Sequence, residues 1–237
     1  AKQDGILSGV RPFRMVFETL NADIEHWEAL PDGAHFKKGS RLIEFSGRTR
    51  AILMGERVAL NFLQRLSGVA TLTGEYIKAV EGYSIKICDT RKTTPGLRML
   101  EKYAVQVGGG YNHRFNLSDG ILVKDNHIAA CGSITGAVSL LRRKIPHTLR
   151  IEVETDSLAQ VRECLACGVD VILLDNMDVA MMQESVALID HRAMVEASGG
   201  ITLESVLDVA RCGVDIVSIG ALTHSAPSCD IGMDWVA

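Results

Sequence analysis

The chain has 237 residues, 47% of them apolar and 23% charged, which is typical of a globular protein with one barrel-sized core, or a barrel and a small companion domain. Its formal net charge of −4 excludes binding to nucleic acid by bulk attraction, so any cationic binding site has to be local. No stretch approaches the roughly 18 apolar residues of a membrane span, so we expect no membrane partner.

The six cysteines are scattered along the chain, and several lie within apolar strand or helix patterns. Cys164 and Cys167 form a CxxC sequence, but no second pair or nearby HxxxH completes a zinc site, so core packing is the favoured interpretation. No signal-peptide pattern opens the chain. We therefore expect reduced thiols and a cytoplasmic location.

Residues 1–70 differ from the rest in their pattern of apolar and turn residues, which predicts a small mixed α/β domain. Phe13–Leu20 and Leu42–Leu53 contain short β-like runs, and the stretch between them is rich in turn residues. The final stretch, residues 223–237, is too short for a further strand–helix unit. We expect it to pack back on this first domain.

A helix is predicted at the end of the first domain. Gly55–Leu66 is amphipathic, with apolar residues at helical spacing. We expect Ser67 and Gly68 to break this helix, and a second helix to follow over about Ala70–Val80.

From Tyr83 onward the same type of unit recurs, although its sequence does not repeat. Each unit is an apolar run that ends in polar residues and is followed by a helical pattern. The runs are Ile85–Asp89, Gly120–Lys124, Arg150–Glu154, Val171–Asp175, Met194–Ser198 and Ile216–Gly220. This alternation predicts a parallel sheet buried on both faces. Because every strand end carries polar residues, we favour an α/β barrel over residues 71–222 to an open doubly wound sheet, which collects such groups at one switch point.

Basic side chains are concentrated at the ends of the first two runs. Arg91 and Lys92 follow the first run and point to opposite sides of an extended chain. His113 and Arg114 follow a triple-glycine turn, and Lys124 ends the second run. This density of positive charge is unfavourable unless anions fill the site. A structural alternative is neutralisation by acidic side chains, with the candidates Asp89, Asp119 and Asp125.

Carboxylates end the next two runs. Glu152 and Glu154 lie on one face of a strand, and Asp175 ends the following strand. Glu154 and Asp175 can converge on Mg²⁺ that bridges to substrate phosphates. The alternative is that these carboxylates only balance the nearby Arg and Lys side chains.

Two glycine-containing loops close the last two runs and predict a phosphate site. They consist of Ser198, Gly199 and Gly200, and of Ile219, Gly220 and Ala221. Glycine lets backbone N–H groups approach an anion, and barrel enzymes often hold a phosphate at their last two loops. The alternative is two tight turns without a ligand. With the cations and carboxylates, the loops indicate one substrate with a phosphate and a metal-bound diphosphate, and another with carboxylates.

The chain resembles the quinolinate phosphoribosyltransferase (decarboxylating) family in Glu56–Thr71, Asp89–Leu97, Lys102–Arg114, Val123–Ile128, Glu152–Leu158, Leu173–Asn176 and Gly220–Ser225. The DTRKT and GGGxNHR sequences within these segments are highly specific. The resemblance implies phosphoribosyl transfer from phosphoribosyl pyrophosphate to quinolinate with Mg²⁺, giving nicotinate mononucleotide, CO₂ and pyrophosphate in de novo NAD biosynthesis.

The resemblance also implies the architecture. We expect an α/β fold with an incomplete parallel α/β barrel beside a smaller N-terminal α/β sandwich domain, assembled as a homodimer or as several dimers. Family members carry a further segment ahead of the position of Ala1, so the first domain is expected to be truncated here.

Residue roles follow from the same resemblance. The quinolinate pocket is expected to contain Thr90, Arg91, His113, Arg114 and Lys124, with Arg57 reaching the site of the neighbouring subunit. Phosphoribosyl pyrophosphate is expected to contact Lys92, Ser198, Gly199, Gly200, Ile219, Gly220, Ala221 and His224. The catalytic residues are expected to be Lys92, Glu154 and Asp175, and the last two are the expected Mg²⁺ ligands.

Three other functions stay open at this point. A relative of the same fold that accompanies metal transport is disfavoured by the intact DTRKT and GGGxNHR sequences. Another barrel enzyme that acts on a phosphosugar, such as an aldolase, needs a Schiff-base lysine in an apolar pocket, and Lys124 is the candidate. The third is a binding protein without catalytic activity.

Overall fold

The computed structural model of the chain describes residues 1–235 and divides them into two compact units. Of the described residues, the N-terminal unit contains Ala1–Glu75, Lys92–Tyr111 and 220–235, and the sheet unit contains Tyr76–Arg91 and Asn112–Ile219. All six cysteines are free thiols. None of the helices within residues 1–235 has both the length and the hydropathy needed to cross a membrane.

The N-terminal unit consists of two short antiparallel ladders and the helices around them. In chain order it contains β1 (Gly5–Ile6), α1 (Val10–Thr19), β2 (His26–Ala29), β3 (His35–Phe36), β4 (Ile43–Ser46), α2 (Thr49–Ala79, whose last turn falls in the sheet unit), α3 (Arg98–Val107) and α9 (Ala221–His224). Strand β1 pairs with β3, and β2 pairs with β4. This is the small α/β domain that the resemblance implies.

The β-like interpretation of Phe13–Leu20 is wrong, because this segment belongs to helix α1. Phe13 and Phe17 are one helical turn apart and both buried, and their ring centroids lie 5.2 Å from each other. Phe45 from β4 packs against both rings. An aromatic pair at this spacing buries its rings together only on a helix, so packing overrides the β propensity of the individual residues.

The expected break at Ser67 and Gly68 is also wrong, because α2 runs continuously from Thr49 to Ala79. Gly68 allows close packing here, since a Cβ at this position would collide with the carbonyl oxygen of Pro227. The hydroxyl of Ser67 accepts a hydrogen bond from the backbone N–H of Ser8 at 3.0 Å and donates one to the Ser8 carbonyl. The small residues therefore serve contact between segments, and the helix passes through them.

The sheet unit is built on six parallel strands in the order β5-β10-β9-β8-β7-β6. The strands are β5 (Lys86–Cys88), β6 (Ile121–Val123), β7 (Ile151–Thr155), β8 (Val171–Asp175), β9 (Met194–Ser198) and β10 (Ile216–Ser218). The helices between them are α4 (Asp125–Cys131), α5 (Ile134–Arg142), α6 (Leu158–Cys167), α7 (Val179–Ile189) and α8 (Val206–Arg211). All six predicted runs contain strands, and β5 and β6 form two open edges, which confirms the incomplete barrel.

The register of these strands places the carboxylates on one face. Glu154 of β7 pairs with Leu173 of β8, and Leu173 pairs with Glu196 of β9. Side chains alternate along a strand, and paired residues share a face. One face therefore carries Glu152, Glu154, Asp175, Glu196 and Ser198, which we call the polar face. The opposite face carries the buried side chains of Val153, Ile172, Leu174, Val195 and Ala197.

Candidate active site

The most buried ionisable residues of the polar face lie around the imidazole of His113. Its Nε2 lies 3.3 Å from Oε2 of Glu152 and 3.6 Å from Oε1 of Glu196. Glu152 and Glu196 are both more than nine-tenths buried. We call these three residues the His–Glu–Glu cluster. Buried carboxylates are rare unless paired, so this cluster is a functional candidate on physical grounds.

The loop that carries His113 is fixed to the end of β5. The backbone N–H of His113 donates to Oδ1 of the fully buried Asp89 at 2.8 Å. Its ring Nδ1 accepts a hydrogen bond from the backbone N–H of Arg114, also at 2.8 Å. Because Nδ1 is an acceptor, the ring proton lies on Nε2, next to the two carboxylates.

The charges in this cluster depend on one another. Burial, together with the charge of Glu152, raises the pKa of Glu196 to about 7, although His113 and a hydrogen bond from Ser218 oppose the rise. Burial lowers the pKa of His113, but its hydrogen bond to Glu152 and the charge of Glu196 outweigh burial and leave the pKa raised. The cluster therefore changes charge near neutral pH.

Two arginines, Arg91 and Arg114, lie beside the cluster. Burial lowers the pKa of Arg114, the charge of Arg91 lowers it further, and Glu152 partly opposes both effects. Arg114 also donates from Nη1 to the Gly120 carbonyl at 3.1 Å, which orients its guanidinium. Thr90 directly precedes Arg91 at the end of β5. Two like charges this close favour an anionic ligand.

Lys124 and Glu154 form an ion pair with Nζ and Oε2 2.5 Å apart. The sequence assigns them to different ligands, quinolinate and Mg²⁺, but here they neutralise each other. Lys124 is 44% exposed, so it does not match the desolvated lysine that Schiff-base chemistry requires. Asp175, at the end of β8, accepts a hydrogen bond from the side chain of Asn176 at 2.8 Å.

The loop after β9 contains two successive glycines with left-handed backbone. Gly199 has φ 96° and Gly200 has φ 61°. A Cβ on Gly199 would collide with the side chain of Asn176, whereas the space beside Gly200 is open. The Ser198 carbonyl accepts the backbone N–H of Asn176 at 3.0 Å, which ties this loop to the end of β8. Such a turn presents backbone N–H groups to an anion.

The N-terminal unit brings Lys92, Gly220 and His224 together. A Cβ on Gly220 would lie 3.1 Å from Nε2 of His224 and 3.2 Å from Cδ of Lys92. The hydroxyl of Thr223 donates to the Lys92 carbonyl at 2.8 Å and so joins the two segments. Ile219 and Ala221 are the chain neighbours of Gly220, and the Ile219 side chain is buried.

A buried ion pair that the sequence analysis missed supports these segments. Arg65 of α2 donates from Nε and Nη2 to Oε1 of Glu101, which is fully buried. Glu101 also accepts from the backbone N–H and the hydroxyl of Thr94. Arg65 donates further to the carbonyls of Thr223 and Ala226. The pair thus holds the segment after Lys92 and the segment around α9 in fixed positions.

Arg57 lies on the exposed side of α2 in the N-terminal unit. Leu53, Met54 and Val58 surround it in sequence, and each exposes at least half of its surface. Large apolar side chains grouped in this way are typical of a surface that another molecule covers.

Glu196 and the His–Glu–Glu cluster are also absent from the sequence predictions. The sequence did contain an indication of a buried carboxylate, because Glu196 lies in the middle of the apolar run Met194–Ser198 and is buried with that strand. The partner His113 is far away in sequence, and only the fold reveals it.

Comparisons with known proteins show the family of the chain. Residues 69–234 match the model of the quinolinate phosphoribosyl transferase C-terminal domain, and residues 1–67 match that of the N-terminal domain. A probable nicotinate-nucleotide pyrophosphorylase (carboxylating) of Bacillus subtilis (strain 168) is 49% identical over 234 residues, which is 99% of this chain and 81% of the relative. The corresponding protein of Mycobacterium leprae is 43% identical and covers 98% of this chain and 84% of its own length.

Solved structures give the same result. The crystal structure of nicotinate-nucleotide pyrophosphorylase from Ehrlichia chaffeensis superposes with a TM-score of 0.95 at 41% identity, covering 98% of this chain and 85% of that one. NadC from Streptococcus pyogenes superposes with a TM-score of 0.92 at 46% identity, covering 97% and 81% of the two chains. The chain therefore belongs to the quinolinate phosphoribosyl transferase family.

Proposed function

We propose that the chain transfers the phosphoribosyl group of phosphoribosyl pyrophosphate to quinolinate and releases CO₂ and pyrophosphate, leaving nicotinate mononucleotide. One observation carries this function. Arg91, His113 and Arg114 are grouped at one edge of the sheet in a protein whose net charge is −4. A small dianion with two carboxylates neutralises such a group, and the planar guanidinium of arginine matches a carboxylate.

Quinolinate binds through its two carboxylates to Arg91 and Arg114, beside Thr90 and His113. Lys124 adds a third positive charge once a ligand displaces it from Glu154. The Arg114 guanidinium is already oriented by the Gly120 carbonyl, so little reorganisation accompanies binding. Binding of this kind places the pyridine nitrogen for attack and lowers the entropic part of the barrier.

Phosphoribosyl pyrophosphate binds with its 5′-phosphate on the two glycine loops, Ser198–Gly200 and Ile219–Ala221, and His224 adds a hydrogen bond. Lys92 contacts the pyrophosphate and stabilises the charge that develops as it leaves. The left-handed backbone at Gly199 and Gly200 and the proximity of Lys92 to Gly220 support this assignment.

The bonds change in two steps. The pyridine nitrogen attacks C1′ of the ribose as the C1′–O bond to pyrophosphate breaks, and positive charge develops on the ribose. Glu154 and Asp175 stabilise that charge. The resulting pyridinium draws the electron pair of the adjacent C–CO₂⁻ bond into the ring as CO₂ leaves, and the ring carbon then takes up a proton. The chain's own part is positioning and electrostatic stabilisation.

Mg²⁺ is the proposed cofactor, and the residues present fit it. Glu154 and Asp175 offer carboxylate oxygens, the ligands that Mg²⁺ prefers, from one face of adjacent strands. When bound there, the ion would add positive charge next to the leaving pyrophosphate. Glu154 is engaged by Lys124, so metal binding competes with this ion pair.

Release of labelled CO₂ from quinolinate tests the proposed function. We expect release that depends on phosphoribosyl pyrophosphate and Mg²⁺, together with equal amounts of nicotinate mononucleotide. Nicotinate offered in place of quinolinate should give little product, because it lacks the second carboxylate. Absence of labelled CO₂ with all components present, despite tight binding of quinolinate in calorimetry, would instead identify a binding protein.

The proposed assembly is a homodimer or several dimers, in which Arg57 completes the neighbouring subunit's site. The exposed apolar side chains of Leu53, Met54 and Val58 around Arg57 support it, because a second copy would cover them. A cytoplasmic location is proposed with it, and the free cysteines suit a reducing compartment.

Mixing two inactive variants tests the shared site. We expect Arg57→Ala and Arg114→Ala each to lose activity alone. After the subunits are exchanged, about a quarter of wild-type activity should return, because half of the dimers are mixed and one of their two sites is intact. Sedimentation equilibrium gives the subunit number. A mixture that stays inactive although mixed dimers have formed would place Arg57 in its own subunit's site or outside any site.

A further inference from the structure

We propose that Glu196 is a positioning residue of the quinolinate pocket, a buried carboxyl that with Glu152 fixes the His113 imidazole and keeps the charge next to the pocket low. This inference rests on the proposed function. The family resemblance assigns no role to Glu196, and the inference comes from the position of this residue in the fold.

The geometry shows how the ring is held. The backbone N–H of His113 is bound to Asp89, and ring Nδ1 accepts the backbone N–H of Arg114. The Nε2 proton then lies next to the carboxylates of Glu152, at 3.3 Å, and Glu196, at 3.6 Å. A hydrogen bond holds Nδ1, whereas the two carboxylates enclose the Nε2 side of the ring, with Glu196 just beyond hydrogen-bond distance. Removing Glu196 therefore opens a space on that side of the ring and, through the Nδ1 contact, loosens Arg114.

Burying the carboxyl group of Glu196 costs free energy, so its presence at this position calls for an explanation. Its side chain is 3% exposed. Within the described residues, Oε1 of Glu196 and Oε1 of Glu152 are both buried without a hydrogen-bond partner. An orphaned carboxylate oxygen in a protein interior costs free energy. A purely structural site would more readily be filled by glutamine or an apolar residue.

Charge explains what the carboxyl contributes. The groups that face Glu196 are Glu152 from β7, Ser218 from β10 and His113 from the loop after α3, with Arg114 beyond His113. Because Nδ1 accepts a hydrogen bond, the His113 ring is neutral in this arrangement, so with Glu196 protonated the cluster carries only the single negative charge of Glu152. Ionisation of Glu196 adds a second negative charge beside a pocket for a dianion, which weakens binding.

The pH dependence follows with a definite sign. Burial and Glu152 raise the pKa of Glu196 to about 7, so its neutral, binding-competent form decreases as pH rises through that value. Between pH 6 and pH 8 the neutral fraction falls about tenfold, and the apparent affinity for quinolinate should fall with it. The substrate, in turn, should draw a proton into the protein when it binds.

Kinetics of Glu196→Gln and Glu196→Ala between pH 6 and pH 8 test the inference, with Glu184→Gln on the exposed side of α7 as the matched control. We expect wild type and the control to show a KM for quinolinate that rises about tenfold over this range. Glu196→Gln mimics the protonated form and should abolish the rise. Glu196→Ala should raise this KM at both pH values and leave the KM for phosphoribosyl pyrophosphate unchanged.

Nitrogen-15 NMR of labelled histidine provides a second measurement, independent of activity. His113 should show the Nε2–H form in wild type and in Glu196→Gln, and a mixture of tautomers in Glu196→Ala. An unchanged pH profile in Glu196→Gln, or an unchanged KM in Glu196→Ala, would overturn the inference. Stoichiometric binding of Zn²⁺ or Mn²⁺ that removes the Nε2 proton would do so too, because it would make the cluster a metal site.

Failure of this inference can be told apart from failure of the proposed function. Wild-type protein that releases no CO₂ from quinolinate contradicts the function itself. Wild-type protein that is fully active, with Glu196 variants that match it in KM and NMR spectrum, contradicts only the role of Glu196.

Discussion

Replacement of Arg114 by alanine should lower kcat/KM for quinolinate by roughly 100- to 1,000-fold, because a guanidinium that binds a carboxylate through two charge-assisted hydrogen bonds is lost. Glu152 and Glu196 stay behind without their neighbouring arginine, so the pocket also becomes more negative. Arg114→Lys should recover only a minor part of the loss, since an ammonium group lacks the planar fork. Steady-state kinetics with labelled quinolinate provide the measurement.

Two controls make this result specific. Arg162→Ala, on the exposed side of α6, removes the same charge far along the chain and should leave kcat/KM unchanged. The KM for phosphoribosyl pyrophosphate should be nearly the same in Arg114→Ala as in wild type, because the other substrate is assigned to the glycine loops. Near-normal kinetics of Arg114→Ala with quinolinate would show that the pocket is elsewhere.

Replacement of Glu101 by alanine should lower the free energy of unfolding by about 3–5 kcal/mol, the usual cost of breaking a buried ion pair by removing one partner. Arg65 would keep its charge in a partly buried position, and the N–H and hydroxyl of Thr94 would lose their acceptor. Thermal melting should begin on the order of 10 °C lower. Urea denaturation with a two-state fit gives the free energy directly.

The matched control is Asp208→Ala, which breaks the surface pair of Asp208 with Arg211 on α8, where both side chains are 56% exposed. Surface pairs contribute little, so this change should cost less than about 1 kcal/mol. A double variant, Arg65→Met with Glu101→Leu, should recover much of the stability lost in Glu101→Ala, because no unpaired charge stays buried. A stability loss in Glu101→Ala no larger than that in Asp208→Ala would mean that the pair is not rigid in solution.

Much of the site was predictable from short segments, because its residues end strands. Arg91 follows β5, Lys124 follows β6, and Asp175 ends β8, so the alternation of strand and helix brings them to one edge of a parallel sheet. Their chemical types then indicate anions. The glycine loops are predictable for the same reason, since a left-handed backbone at Gly199 and Gly200 favours glycine.

Relations between distant segments were not predictable in this way. Ser67 and Gly68 have the composition of a helix break, yet α2 continues, because contact with Ser8 and Pro227 requires small residues there. Phe13 and Phe17 belong to a helix because their rings pack on Phe45. In both places a contact across many residues outweighs the local preference.

The sequence by itself determined the alternation of strand and helix from β5 to β10, the parallel sheet and the grouping of basic residues after the first two strands, because these depend on periodicity and on residues close together in the chain. Only the tertiary structure revealed that Lys124 pairs with Glu154, that Arg65 pairs with Glu101, and that Glu196 lies next to His113. The physical reason is that burial and pairing are properties of the surroundings, which folding supplies. A buried glutamate acquires its charge state from neighbours that are nearby only in the folded chain.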